Sequence, residues 1–379
     1  MHPLSGEYPL TQLERVVFGA GSAARLGDEL DRLGASRAVV VTGRTLAASP
    51  LLERVTGALG TRCVRVFGGA RQHVPATAVA ELARVLHAAR ADCLVSFGGG
   101  SPIDAAKAAV HLQLAGAGAA ADTRVALPHV AVPTTLSAGE FTAVAGITDE
   151  GSRVKHATAD PRLAPRVVVL DPDLTVATPT WLWAASGMRA VDHAVETLYS
   201  TYQHPVSASQ AATALATLAA RLVPSLDATS GREDRLWCQT AAWMSVQGIA
   251  YAGLGLSHAL GHQIGPRWNV AHGVTSCITL PHAMRAIARK QPDRFEAIAG
   301  ALRIPFDAGD ALPGALACAD AVAALVTRLA LPSKLSEVDV PRGELASVAA
   351  VVHDAMTQSP RVGHAVTLAE VEGVLAAAF

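Results

Sequence analysis

The hydrophobic rhythm of the chain changes near residues 174–180. Before that point, short β-branched runs alternate with stretches whose apolar positions recur at helical spacing. The runs Arg15–Phe18, Ala38–Val41, Arg62–Phe67, Cys93–Phe97, Val130–Val132, Ala143–Thr148 and Val167–Leu170 predict strands. Helices are predicted over Ala23–Leu33 (with Ser22 as N-cap), Pro50–Leu59 and Ala76–Ala89. Strands alternating with helices imply parallel βαβ units. After residue 178 the strand signals stop, and the pattern is helical to Phe379 apart from Pro and Gly breaks. The expectation is an α/β N-terminal domain, residues 1–176, and an all-α C-terminal domain, residues 177–379. The Ala/Gly-rich run 114–121 reads as a surface loop.

Ligands in parallel sheets gather at the carboxyl ends of strands. Three polar turns stand at such ends: Thr42-Gly43-Arg44, Gly98-Gly99-Gly100-Ser101 and Pro133-Thr134-Thr135. The second is the most informative. The buried run Cys93–Phe97 leads into three glycines and then a helix start, with Ser101 as N-cap, Pro102 at N1 and Asp104 near N3. Glycines let the backbone approach a ligand closely, and the positive helix end suits a phosphate. The spacing is not G-x-G-x-x-G, so an ordinary Rossmann unit is not expected.

Composition narrows the class. Half of the 379 residues are hydrophobic, mostly through alanine and valine, which suits a compact fold. Lys+Arg number 31 against Asp+Glu 32, and no basic stripe points to nucleic acid. The five cysteines, Cys63, Cys93, Cys238, Cys277 and Cys318, form no CxxC pair and sit mostly in apolar runs, as in a reduced cytoplasmic protein. No basic-then-apolar leader opens the chain and no uncharged apolar run reaches spanning length, so no membrane partner is expected.

The helical half carries a second kind of chemistry. Met188–Glu196 places Arg189 and His193 one turn apart, and Asp192 and Glu196 one turn apart on another face. Ser257–Gly265 holds His258 and His262 one turn apart, followed by Ala271-His272-Gly273. Histidines clustered in apolar helical context point to a metal or catalytic cluster; structural histidines are the alternative.

Together these motifs resemble the iron-containing (group III) alcohol dehydrogenases, and most of all their maleylacetate reductase branch. The likeness rests on Phe18-Gly19-Ala20-Gly21, Gly98–Lys107, Pro133-Thr134-Thr135, Asp171-Pro172, Gly187–Glu196, Gly255–Gly265, His272-Gly273 and Leu280-Pro281-His282, in that order. It implies NADPH or NADH bound between an N-terminal dinucleotide domain and a helical catalytic domain, in a homodimer. Gly98, Gly99, Gly100, Ser101 and Asp104 would serve the pyrophosphate, and Thr134, Thr135 and Lys155 the rest of the coenzyme. Gly43 stands where NAD-selective relatives carry an acid, and Arg44 can pair with a 2′-phosphate, so NADPH is expected to be accepted.

One position departs from the metal-dependent members, which hold a divalent ion with one Asp and three His. The histidines match His193, His258 and His272, but the Asp position is Arg189. A guanidinium cannot ligate a cation and opposes one by charge. The expectation is a metal-independent reductase of a small carbonyl or enone substrate. Arg189 would meet the developing oxyanion or a substrate carboxylate, His262 or His258 would supply the proton, and His193 and His272 would complete the catalytic set. Open alternatives are a metal-dependent alcohol dehydrogenase, a reductase of an aldehyde, ketone or imine in specialised metabolism, and a plain ion pair of Arg189 with Asp192 or Glu196.

Overall fold

The computed structural model describes residues 8, 10–115, 125–151, 154–253, 255–358 and 365–379; the expected loop at 114–121 lies outside them from residue 116 on. The chain divides into two compact units, Leu10–Thr178 and Pro179–Phe379, and Tyr8 belongs to the second. Its hydroxyl donates to the Gln247 carbonyl at 2.8 Å and its ring stacks on Tyr251.

In the first unit the strands are β1 (Arg15–Phe18), β2 (Ala38–Gly43), β3 (Cys63–Ala70), β4 (Cys93–Gly98), β5 (His129–Pro133), β6 (Val144–Asp149), β7 (Val154–Ala159) and β8 (Val167–Leu170). The helices are α1 (Leu26–Arg32), α2 (Arg44–Ala47), α3 (Pro50–Leu59), α4 (Ala76–Ala88) and α5 (Gly100–Ala115). Six strands form one parallel sheet in the order β1-β8-β5-β4-β2-β3. Valine runs with no exposed side are what a sheet covered on both faces requires. Alternate residues accordingly feed two cores: Val40, Val95 and Val130 pack on one face with Leu26, Leu30 and Val55, while Val39, Val41 and Leu94 pack on the other with Leu82, Ala105 and Ala109.

The β6–β7 hairpin is antiparallel and separate. β7 is a strand that polar periodicity did not predict. Two helix starts also differ from expectation. Helix α5 begins at Gly100, so Ser101 and Pro102 lie in its first turn. Ser22 opens a 3-10 turn (Ser22–Arg25) with no side-chain cap of its own; Asp171 serves instead, accepting from the Gly21 and Ala23 amides at 3.1 and 3.0 Å.

The second unit contains α6 (Thr180–Tyr199), α7 (Pro205–Arg221), α8 (Arg232–Val246), α9 (Ile249–Ala252), α10 (Leu256–Trp268), α11 (His272–Lys290), α12 (Glu296–Leu302), α13 (Ala311–Arg328), α14 (Leu345–Gln358) and α15 (Leu368–Ala377). Every residue of α6 from Trp183 to Tyr199 is buried, so this helix is the unit's axis, and α7, α8 and α11 pack around it. Among the described residues α13 alone is long and apolar enough to cross a membrane; its face Gly314, Cys318, Val322 and Leu325 is buried and it packs on α11.

The turn after Thr135 is pinned by a buried cation. Lys107, fully buried in α5, donates to the Gly139 carbonyl and, at 3.0 Å each, to Thr142 Oγ1 and the Val144 carbonyl. Beside it, burial raises the Glu140 carboxyl to about 7, with Lys107 acting the other way. The folded state therefore binds this proton more tightly than the unfolded chain, whose carboxyl titrates near 4.3. Its stabilising share is present below about pH 4, declines as pH rises and is gone above about 7. Glu140→Gln should flatten that slope, so that urea midpoints of wild type fall between pH 5 and 8 relative to those of the variant.

Candidate active site

In the first unit, β5, β4 and β2 are neighbours, so their carboxyl ends bring three predicted turns side by side. The Thr134 amide donates to the Gly98 carbonyl at 2.9 Å. Gly98 has φ of 144°, open only to glycine, and a Cβ on Gly99 would meet Thr135 Cγ2 at 3.0 Å. Glycine turn, helix start and Thr134–Thr135 thus form one cradle, and Gly43–Arg44 closes the end of the adjacent β2. Such a backbone suits a pyrophosphate: the glycines add no side chain of their own, and the first amides of a helix lack intrahelical partners. Asp104 lies 3.8 Å from the Lys107 ammonium, an ion pair inside α5. Lys155 pairs in β7 with Thr148; its side chain is outside the described residues.

In the second unit, α6, α10 and α11 bring Arg189, His193, His258, His262 and His272 into one continuous cluster. Arg189 Nη2 donates to His272 Nε2 at 2.8 Å. His272 stacks on His262, with centroids 5.0 Å apart and planes 6° apart. His262 meets His258 edge-on at 6.5 Å, and His258 stacks on His193 at 4.9 Å. The row runs from fully buried His258 to exposed His262. Packing this close needs small residues at the crossings: a Cβ on Gly273 would collide with the Ala185 carbonyl of α6.

Behind the histidines lies a polar network that spacing alone did not reveal. Asp192 Oδ2 accepts from Ser257 Oγ at 2.9 Å and Ser276 Oγ at 2.6 Å, and Ser257 also meets Thr279 at 2.9 Å. Glu196 Oε1 accepts from the Ser257 amide at 2.9 Å, and Oε2 from the Gly255 amide at 2.6 Å. His258 Nδ1 sits between the two carboxylates, 2.6 Å from Glu196 Oε2 and 3.3 Å from Asp192 Oδ1. Arg189 Nη1 is 3.8 Å from Asp192 Oδ2. Two anions thus face two cationic groups with almost no water access.

The charges follow. Burial pulls the Arg189 guanidinium down to about 10, which leaves it protonated at neutral pH. Burial also lowers the imidazolium of His193 well below its ordinary range, aided by the His258 and Arg189 charges. Burial and Arg189 act on His258 in the same sense, but Asp192 and Glu196 outweigh them and its pKa rises. Asp192 is held low despite burial by His258, Arg189 and Ser276.

Two metal arrangements can be tested against these atoms. In the three-histidine set expected from the resemblance, His193, His258 and His272, Arg189 occupies His272 Nε2, while His258 Nε2 has no hydrogen-bond partner among the described residues. Asp192, Glu196 and His258 offer a second set, one ligand atom each within 4.8 Å of one another. There, Asp192 Oδ2 and both Glu196 oxygens already accept hydrogen bonds. Bonds of about 2.1 Å to one ion hold its ligands roughly 3 Å apart or more, wider than the 2.6 Å between His258 Nδ1 and Glu196 Oε2. Asp192 Oδ1 and both nitrogens of His258, in contrast, have no hydrogen-bond partner among the described residues, so this second cluster keeps unpartnered atoms for an ion.

A parallel-sheet unit with a glycine cradle, followed by a helical unit with a histidine row, defines a dehydrogenase architecture, and the chain belongs to the iron-containing alcohol dehydrogenase family. Residues 14–172 match the family's iron-containing alcohol dehydrogenase domain and residues 183–379 its C-terminal domain. The chain is accordingly an oxidoreductase. It is 36% identical over 301 residues to a maleylacetate reductase of Burkholderia cepacia, covering 77% of this chain and 79% of that one. It is 35% identical over 292 residues to the maleylacetate reductase of Sphingobium indicum, covering 76% and 77%. The crystal structure of maleylacetate reductase from Agrobacterium tumefaciens superposes with a TM-score of 0.81 at 27% identity, covering 100% of this chain and 99% of that one.

The network makes a stability prediction. Removing one member of a buried charge set leaves its partners uncompensated, at a cost of about 3–5 kcal/mol. Asp192→Ala should lose about that much in urea denaturation, whereas Asp320→Ala, on an exposed pair with Arg285, should change the midpoint little.

Proposed function

We propose that the chain is a NAD(P)H-dependent reductase of a small carboxylated carbonyl or enone compound, maleylacetate reductase-like, working without a catalytic metal. The observation that carries this reading is Arg189: a buried, charged guanidinium held on His272 Nε2 where a metal ligand would otherwise stand. The maleylacetate reductase names of its relatives support the substrate class.

Bound NAD(P)H supplies the hydride. The residues of this chain do the rest. Gly98–Ser101 and Thr134–Thr135 cradle the pyrophosphate, and Arg44 receives the 2′-phosphate of NADPH. The oxygen of a carbonyl or enone gains negative charge as hydride arrives, and a preorganised cation in a dry site stabilises that charge strongly. Arg189 is that cation; its fork can also take a substrate carboxylate in two parallel hydrogen bonds. His262, the exposed member of the row, exchanges protons with solvent and returns one to the product. His272 accepts from Arg189 at Nε2, so in this contact it orients the fork and gives up no proton from that nitrogen. A metal-dependent alcohol dehydrogenase is the second reading, kept because Asp192, Glu196 and His258 cluster.

Assays of NADPH and NADH oxidation with keto and enone dicarboxylates decide between them. The expected result is turnover insensitive to chelator in protein free of stoichiometric metal; tightly bound zinc or iron that is needed for turnover overturns the metal-free reading. Arg189→Met should lower kcat by about 10²–10³-fold. Arg44→Ala should weaken use of NADPH by about tenfold, as expected for a lost charged hydrogen bond, and leave NADH nearly unchanged in kcat/KM.

A further inference from the structure

Helix α10 carries two of the site's histidines, yet its own N-cap, Gly255, offers no side-chain cap. The cap comes from α6. Glu196, fully buried, accepts from the amides of Gly255 at 2.6 Å and Ser257 at 2.9 Å, with the His258 amide at 3.4 Å. Tyr199 Oη donates to the same carboxylate at 3.3 Å. A carboxylate at a helix N-terminus is favoured by both hydrogen bonding and the helix dipole. The approach is so close that a Cβ on residue 255 would lie 2.6 Å from the Glu196 carboxyl carbon. Position 255 is therefore glycine because of Glu196.

The same carboxylate reaches the ring three residues further on. His258 Nδ1 is 2.6 Å from Glu196 Oε2, with Asp192 Oδ1 at 3.3 Å on its other side. A ring nitrogen with a bare lone pair at that distance from a carboxylate oxygen would be repelled. Both Glu196 oxygens already accept from backbone amides, which favours the carboxylate as acceptor and places the shared hydrogen on Nδ1. Nδ1 faces both carboxylates at these distances without a well-aligned hydrogen bond to either, and Nε2 has no hydrogen-bond partner among the described residues although the ring is fully buried.

We infer that Glu196 is a positioning residue. It locks the start of α10 and holds His258 in its Nδ1-protonated form, so that Nε2 is the nitrogen offered to the reacting groups. This rests on the reductase reading for its kinetic consequence but not for the state of the ring. Glutamine has one acceptor oxygen: placed at Oε2 it can still serve Gly255 and His258, but as a neutral group, and its NH2 then faces the Ser257 amide as donor against donor.

The test has two arms. In the wild-type protein labelled with nitrogen-15 histidine, His258, assigned by its absence in His258→Gln, should show a protonated Nδ1 shifted far downfield by its carboxylate. Glu196→Gln should move that signal well upfield, because a neutral amide replaces the carboxylate, while circular dichroism shows a folded chain, and Glu196→Asp should restore the shift in part. A His258 protonated only at Nε2, or a spectrum unchanged in Glu196→Gln, overturns the inference whether or not any carbonyl compound is turned over. In the kinetic arm, on the carbonyl substrate found for the wild type, Glu196→Gln should lower kcat by about 10–100-fold with KM for NADPH unchanged. A folded Glu196→Gln enzyme with wild-type kcat reduces Glu196 to a helix cap and overturns its positioning role. Absence of wild-type turnover on every carbonyl compound, with the downfield signal present, counts against the reductase reading alone.

Discussion

Four ionisable groups on two helices, Arg189, Asp192 and Glu196 of α6 and His258 of α10, share one buried volume, and the helical unit is arranged around making that tolerable. Charges removed from water cost several kcal/mol each unless they are paired and hydrogen-bonded. Here Ser257 and Ser276 both donate to Asp192 Oδ2, and three backbone amides and Tyr199 surround Glu196. Glycines 255 and 273 bring α10, α11 and α6 close enough for those bonds to form. The network thus links α6, α10 and α11, the same three helices that the row of histidines spans.

Arg189 connects this network to chemistry. It lies on the edge of the charge set, close to Asp192, and its other amine reaches His272 at the open side. A guanidinium retains its charge under burial more readily than any other side chain. The position therefore holds permanent positive charge in a buried site. The first unit solves a different problem, bringing backbone close to an anion, and does so with a glycine turn between Pro102 and Thr135 and a pinned loop under Lys107.

Much of this was legible in the amino-acid order. Valine runs with both faces apolar marked the covered strands β2, β4, β5 and β8, and Pro50–Leu59 coincides with α3 because a Ser49 cap and Pro at N1 mark its start. The candidate histidines and Arg189 stood out by spacing on helices. Strand β7 did not, because His156, Thr158 and neighbouring Lys155 carry no apolar alternation and their pairing with β6 is what makes them a strand. Ser22 resembled a cap, but the Asp171 carboxylate, far along the chain, takes its place. Glu196 looked like one more helix-face acid; only Gly255, 59 residues away, explains it.

By itself the sequence determined the alternation of strands and helices, the glycine turn and the cation Arg189 one helical turn before His193. Each of these is a local property, set by side-chain periodicity, by the φ that only glycine adopts, or by the charge of one residue. Tertiary structure decided what Arg189 and His258 touch, which nitrogen of each histidine is engaged, and which carboxylate caps α10. Those outcomes depend on where three helices cross, and a crossing is fixed by packing between residues that are distant in the chain.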